Sequence, residues 1–334
     1  MTRKIRLADV ARTAGVSPAT ASLALRGAGT IGAETAERVR KVAAEVGYRP
    51  NHVAASLRRQ WTASLGVLIP TLTNPYYSEL LEAFEVAAGS AGYSLISGTS
   101  NHDPARESHY VELFLGRSCD GIVVVTGTGD IGDVVRAGVP TVLVNTHLPA
   151  AGVPRVEIDD LHGVRSAVTH LLRLGHRRIG LVAHPYDQPR HEGYREALSD
   201  AGIAYDPDLT VGVSRMNALL QDGRDRAQQL LRAHPDLTAI IATADVIAIG
   251  VLRAAHEAGR QVPDDLAIVG FDDISLSAAL VPALTTVAQP IDAIASAALG
   301  LVHEQIAEGR VALDERRIVL ETSLIVRESC GAKQ

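Results

Sequence analysis

The sequence predicts a small all-α head followed by an α/β body of two lobes, each built on a doubly wound parallel sheet. Three observations lead there. Two short helical patterns flank a glycine-centred turn within residues 6–27. Beyond residue 63, short β-branched runs alternate with amphipathic helices. Charge also changes sign along the chain: residues 1–60 hold 11 Lys and Arg against 4 Asp and Glu, and the other 274 hold 21 against 34. The overall net charge of −6 conceals that polarity.

The head comes first. In RLADVARTAGVSPATASLALRG, Leu7, Val10 and Ala14 recur at three- and four-residue spacing, and Ala21 with Ala24 or Leu25 continues the apolar face on a second helix. Ala11 is small enough for two helices to approach closely. Gly15 stands where the turn needs positive φ, Val16 plugs the corner, and Ser17 is an N-cap for the second helix. Residues 33–46 supply a third helix through Val39, Val42, Ala43 and Val46. A basic helix-turn-helix on an acidic body suits phosphate contact at one end only, so this unit is expected to read DNA.

The body follows in alternation. LGVLIP, YSLISGTS, CDGIVVVTG and PTVLVNT read as strands, separated by helices in YYSELLEAFEVAAGSAG, ESHYVELFLGRS and a short one near GDVVRAG. Then HGVRSAVTHLLRLGH is a helix, RRIGLVAHP a strand and PRHEGYREALSDAGI a helix. LTVGVS, TAIIATA and LAIVGFDD repeat the theme around helices at DGRDRAQQLLRAH and VIAIGVLRAAHEAGR. Nearly continuous apolar strands imply parallel sheets covered on both faces, with ligands held at the carboxyl ends of the strands between the lobes.

Bulk properties exclude other classes. Hydrophobic content of 46% with 21% charged residues is ordinary for a globular protein, and no apolar run reaches the length of a membrane span. The basic N-terminus lacks an apolar signal core, and Cys119 and Cys330 are far apart, which fits a reducing cytoplasm. There is no G-x-S-x-G, P-loop or H-E-x-x-H, and residues 126–130 lack dinucleotide-loop spacing. The acidic pairs Asp159–Asp160, Asp264–Asp265 and Asp272–Asp273 suit caps and turns. His184 and His191 lack a third metal ligand at sensible spacing. Neither an enzyme nor a cofactor is expected.

Seven motifs in one order, DVARTAGVSPATAS, GYRPNHVAASL, NPYYSEL, RSCDGIVV, HLLRLGHRRIGLVA, RHEGYREAL and VGFDDISLSAALVPALTTVAQP, resemble the lac repressor family of bacterial transcription regulators over essentially the whole chain. The resemblance implies a DNA-binding head at 1–49, a hinge helix and linker at 50–62, and an effector-binding and dimerisation body at 63–334 like the periplasmic sugar-binding proteins (type I). It also implies three crossings between lobes, near His162, Pro290 and Val319. One lobe then takes about 63–162 and 291–318, the other about 163–290 and 319–330.

By the same resemblance, Pro18, Ala19 and Leu23 take the base-reading positions, with Ser17, Thr20 and Ser22 available for phosphates, and Leu7 is counted among the DNA-binding residues. Many members carry arginine where Leu23 stands; leucine offers only apolar contact, for example to a thymine methyl, so the operator should differ. Asn51 can cap a helix from His52 to about Arg59, too short to persist alone in water. Val53 and Leu57 share a face, Ala54 allows close approach, and the resemblance implies that Leu57 wedges a minor-groove step. A plain linker is the other reading of this segment. The implied effector positions are Tyr76, Tyr77, Asn145, Arg190 and Asp272, with Asp245 in Ala244–Asp245 where many sugar-responsive members have Asn–Asp. Asp272 could instead cap a helix from Ile274, and Arg190 could be a surface residue.

The expected partners are a palindromic double-stranded operator, a small carbohydrate-like effector and a second copy of the chain, with no membrane. The end SLIVRESCGAKQ carries no heptads for further assembly. The alternatives are a solute-binding protein with no DNA role, which would need an export signal and no basic head, and an architectural DNA binder, which would not need the cleft.

Overall fold

The computed structural model describes residues 5–26, 31–48, 61–125, 138–146, 152–184, 187–309 and 316–332. The chain divides into two compact units at Thr62–Ala63.

The first unit is three helices, α1 (Leu7–Ala14), α2 (Pro18–Arg26) and α3 (Ala33–Glu45). Its core is almost entirely alanine and valine: Val10, Ala11, Ala14, Ala21, Ala24, Ala36, Val39 and Ala43. Such small side chains let three short helices pack at close range. Gly15 closes α1 at φ 66°, the left-handed conformation that a side chain disfavours. Ser17 Oγ then accepts from Thr20 N at 3.1 Å, starting α2 as an N-cap.

The second unit has two six-stranded sheets. In chain order the strands are β1 (Ser64–Ile69), β2 (Ser94–Thr99), β3 (Gly121–Val125), β4 (Thr141–Val144), β5 (Arg155–Ile158), β6 (Ile179–Ala183), β7 (Thr210–Gly212), β8 (Ala239–Ala242), β9 (Ala267–Asp272), β10 (Thr285–Ala288), β11 (Arg317–Leu320) and β12 (Ser323–Ile325). The sheets run β11-β5-β4-β3-β1-β2 and β12-β10-β9-β8-β6-β7. Strands β3, β4, β6 and β8 are buried along their whole length, as the apolar runs require for sheets covered on both faces. The helices are α4 (Pro75–Ser90), α5 (Pro104–Gly116), α6 (Asp160–Arg173), α7 (Gln188–Asp200), α8 (Leu219–Ala233), α9 (Asp245–Glu257) and α10 (Ile291–Glu308).

The chain changes sheet three times. It leaves the first sheet after β5, returns after β10 so that α10 packs on α4, and leaves again between Leu320 and Ser323. Val319 lies inside β11, opposite Glu157, so this last passage comes two residues beyond it. Neighbouring strands pair in parallel throughout both sheets except at one edge, where β12 runs antiparallel to β10. The cause is geometric. Strand β11 exits at the carboxyl end of its sheet and, with only Glu321 and Thr322 between, enters the second sheet from that sheet's carboxyl end.

Candidate functional site

In the head, α2 turns Ser17, Pro18, Ala19 and Leu23 outward, with Thr20 and Ser22 half-buried. Ala19 and Leu23 are one turn apart on the same exposed strip, and Leu23 is 36% exposed. Ser17 and Thr20 hydroxyls bond to each other at 2.9 Å. Leu7 does not join this strip; it packs against the three-helix core. The positions Asn51, His52, Val53, Ala54 and Leu57 lie outside the described residues.

In the body, the chemistry gathers where strands end and helices begin, the usual ligand position of such sheets. Asn74 caps α4 by accepting from Tyr76 N at 3.1 Å, which sets Tyr76 in the first helical turn. Asn145 follows β4 at φ 45°, and Asp272 ends β9 at φ 120°. Both backbone conformations are uncommon for non-glycine residues and are held in place by the bonds their side chains make.

The structure joins Tyr76, Asn145 and Asp272 through a residue the sequence reading missed. Gln289, at the second passage between lobes, accepts from the Tyr76 hydroxyl at 2.7 Å and from Asn145 Nδ2 at 3.1 Å. Its own nitrogen donates to Asp272 Oδ1 at 2.7 Å. Asn145 Nδ2 also donates to the Tyr76 hydroxyl at 3.1 Å. The available signal was a polar amide next to a proline in the otherwise apolar TTVAQP. Tyr77 meets Tyr76 edge to face at 5.1 Å between ring centroids.

Arg190 is no surface residue. It sits in the first turn of α7, its Nε donating to Asp160 Oδ1 at 2.7 Å, with Asp187 Oδ2 3.9 Å from Nη1. Nη1 also donates to the Thr243 carbonyl, and the guanidinium lies over the Phe271 ring at 3.7 Å. Burial works against its charge, but Asp160, Asp187 and Asp272 more than offset that and keep it protonated. Burial pushes the Asp272 carboxyl well above the usual range, opposed by Arg190. The Tyr76 hydroxyl is likewise pushed up by burial.

Asp245 is not part of this cluster. It is fully buried, and its carboxylate accepts from Ile274 N at 3.0 Å, Ser277 Oγ at 2.6 Å and the Thr286 hydroxyl. It braces the 274–277 loop against β10, and it is Asp245 rather than Asp272 that bonds Ile274 N. Gly270 makes room for it: a Cβ there would lie 2.1 Å from Asp245 Oδ1. Burial drives its pKa up to about 6 despite three donors.

A cavity of about 240 Å³ is lined by Thr71, Thr73 and Asn74 of one lobe and Met216, Leu219, Leu220 and Val246 of the other, and by none of the cluster residues. The lobes touch directly where Ser275 N donates to Glu79 Oε1 at 2.9 Å. His102 and His184 also face each other at 6.5 Å between ring centroids.

Both units have known counterparts. Residues 6–51 match the model for bacterial regulatory proteins of the lacI family, and residues 168–330 match a periplasmic binding protein-like domain. The HTH-type transcriptional repressor CytR of Escherichia coli (strain K12) is 34% identical over 97% of this chain and 96% of its own length. The chain belongs to the lac repressor family. Its relatives also include the ribose operon repressor of Halalkalibacterium halodurans, 32% identical over 96% of each chain. Among solved structures, the lac repressor dimer bound to operator and the anti-inducer ONPF superposes with a TM-score of 0.83 at 25% identity, covering 99% of this chain and all of that one. A complex of the transcriptional regulator CelR with cellobiose gives 0.73 at 29% identity, over 97% and 99%. This lac repressor family member is thus a DNA-binding transcriptional regulator with an effector-binding body.

Proposed function

We propose that the protein is a repressor that binds a palindromic operator as a homodimer and releases or grips it according to a small polar metabolite held between the lobes. The observation that carries this reading is the Tyr76–Gln289–Asn145–Asp272 network, which spans both lobes in the same chain as the exposed Ala19–Leu23 strip. A molecule that bonds these groups acts on both lobes at once, so its affinity must differ between lobe arrangements. A coupling of about 1–3 kcal/mol, about 5- to 150-fold in DNA affinity, is typical of such systems. The lac repressor structure is a dimer on its operator, and CelR carries cellobiose. Both support a dimer and a sugar-like effector here.

The same groups argue against catalysis. Asp160, Asp187 and Asp272 hold Arg190 in place, and no Ser, Cys or Lys joins them as a nucleophile among the described residues. No helix among those residues is long and apolar enough to cross a membrane, and we place the protein in the cytoplasm, where its DNA is.

The test is anisotropy of a labelled fragment from upstream of the coding region, titrated with the full chain at rising salt against random DNA. Specific, salt-dependent binding that a metabolite shifts is the expected result. Failure to bind any DNA at low salt refutes the reading.

A further inference from the structure

The outward face of α2 is made of methyl and methylene groups, and that limits what it can read. From Pro18 to Leu25 there is no charged and no amide side chain. Pro18, Ala19 and Leu23 are the exposed residues of this stretch, while Ala21 and Ala24 belong to the core of the head and Leu25 packs against it. The hydroxyls do not fill the gap. Ser17 Oγ accepts from Thr20 N at 3.1 Å and pairs with Thr20 Oγ1 at 2.9 Å, which leaves one O–H proton between them. That proton sits at the start of the helix, where the free N–H groups suit a phosphate. Ser22 is half-buried and already engaged.

By direct contact in the major groove, such a surface can tell base pairs apart in one way. The donors and acceptors on guanine, cytosine and adenine edges need polar partners, and against this face they lose water without replacement. The thymine C5 methyl is the one apolar group on the groove floor, and it gains by contact with the Leu23 side chain or the Ala19 methyl. Four residues separate Ala19 from Leu23, about 6 Å along the helix, which reaches two base pairs. The basic groups of the head add affinity at any sequence and no selectivity.

We propose that α2 reads its half-site through thymine methyl groups, with Leu23 and Ala19 as the contacts, and that it accepts 5-methylcytosine in place of thymine. A cytosine at a read position is then disfavoured until its C5 is methylated, so the operator affinity of this chain responds to cytosine methylation. This rests on α2 entering the major groove of an operator.

The experiment is binding-site selection by the full chain from a random duplex library, followed by anisotropy on the selected operator. Each thymine is replaced in turn, in both half-sites, by deoxyuridine, which deletes the methyl and leaves the hydrogen-bonding edges, the minor groove and the backbone as they were. At one or two positions affinity should fall about fourfold per half-site and about sixteenfold for the two together, the loss of one buried methyl in each. At those positions 5-methylcytosine opposite guanine should bind about fourfold or more tighter than cytosine opposite guanine. Leu23→Ala should shrink the deoxyuridine effect to less than about twofold at one position; Leu23 lies outside the core of the head, so the fold should be kept. Deoxyuridine tolerated at every thymine overturns the proposal, as does cytosine binding unchanged by methylation, or an undiminished deoxyuridine effect in Leu23→Ala. Selection of no site at all refutes the DNA-binding reading and the proposal with it, whereas a selected site indifferent to methyl groups overturns the proposal alone.

Discussion

Replacing Asp245 with asparagine should remove a pH dependence of folding that runs opposite to ordinary acid denaturation. The native carboxyl sits at about 6 against an ordinary 3.8, because burial outweighs the three donors that reach it. Between these values the native protein holds a proton that the unfolded chain has released, so falling pH favours the fold, and rising pH through about 6 withdraws that benefit. A displacement of this size corresponds to about 3 kcal/mol over the full window, of which about 2 kcal/mol falls between pH 4.5 and 7.5. Asparagine keeps the shape and one acceptor for Ile274 N but cannot ionise. Its packing and amide costs are the same at every pH, so the pH-dependent part isolates the charge. Urea unfolding of both proteins, followed by circular dichroism from pH 4.5 to 7.5, measures it. The difference should move in favour of D245N by about 2 kcal/mol as pH rises. A flat difference, or one moving the other way, would refute the argument that the 274–277 brace is held against the desolvation of its own charge.

Other outcomes follow from the same geometry. Gln289→Leu removes the shared partner of Tyr76, Asn145 and Asp272, so titration of a bound effector should show affinity lowered at least tenfold. Gly250→Ala would place a Cβ 2.3 Å from the Leu220 carbonyl oxygen and 2.7 Å from Arg224 N, forcing α8 and α9 apart; a loss of about 1–3 kcal/mol should appear in the urea midpoint. Leu23→Arg puts a bidentate donor on the exposed strip, and binding-site selection should shift toward guanine at one position, worth about 1–3 kcal/mol. Glu79→Ala cuts the tie to Ser275 N, and small-angle scattering of the ligand-free protein should report a more open body.

Much of this architecture is legible in the sequence because the sheets are covered on both faces, so GIVVV, TVLV and AIIA have to be apolar throughout. Edge elements escape. RIVL is half-exposed at the edge of its sheet, and its inner neighbour RVEI is only four residues long and carries two charges. Helix α10 is apolar around much of its circumference, being covered by both α4 and the sheet, so no single face stands out. At the site, Asp272 is legible as a charged group at the end of an apolar strand, and Arg190 as a charged group in the helix that follows one. Asp245 has the same local signature yet faces inward, and what separates the two is Gly270, a residue 25 positions away. Gln289 was obscured because its role depends on the lobes meeting, which no local pattern encodes.

Of the three passages between the lobes, the first and third are stitched together. Asp159 N donates to the Leu320 carbonyl at 2.9 Å, and Thr322 Oγ1 donates to the Asp159 carbonyl at 3.2 Å. Mechanically the lobes are therefore joined at two points rather than three, and two points define a single axis. A body hung on one axis opens and closes along one coordinate, like a door rather than a ball joint. Gln289 lies on the second attachment point itself, so whatever occupies the network presses on the hinge pin and not on a distant panel. Ligands of different shapes then differ in how far they turn the door, and the chain reads out chemical variety as a single angle.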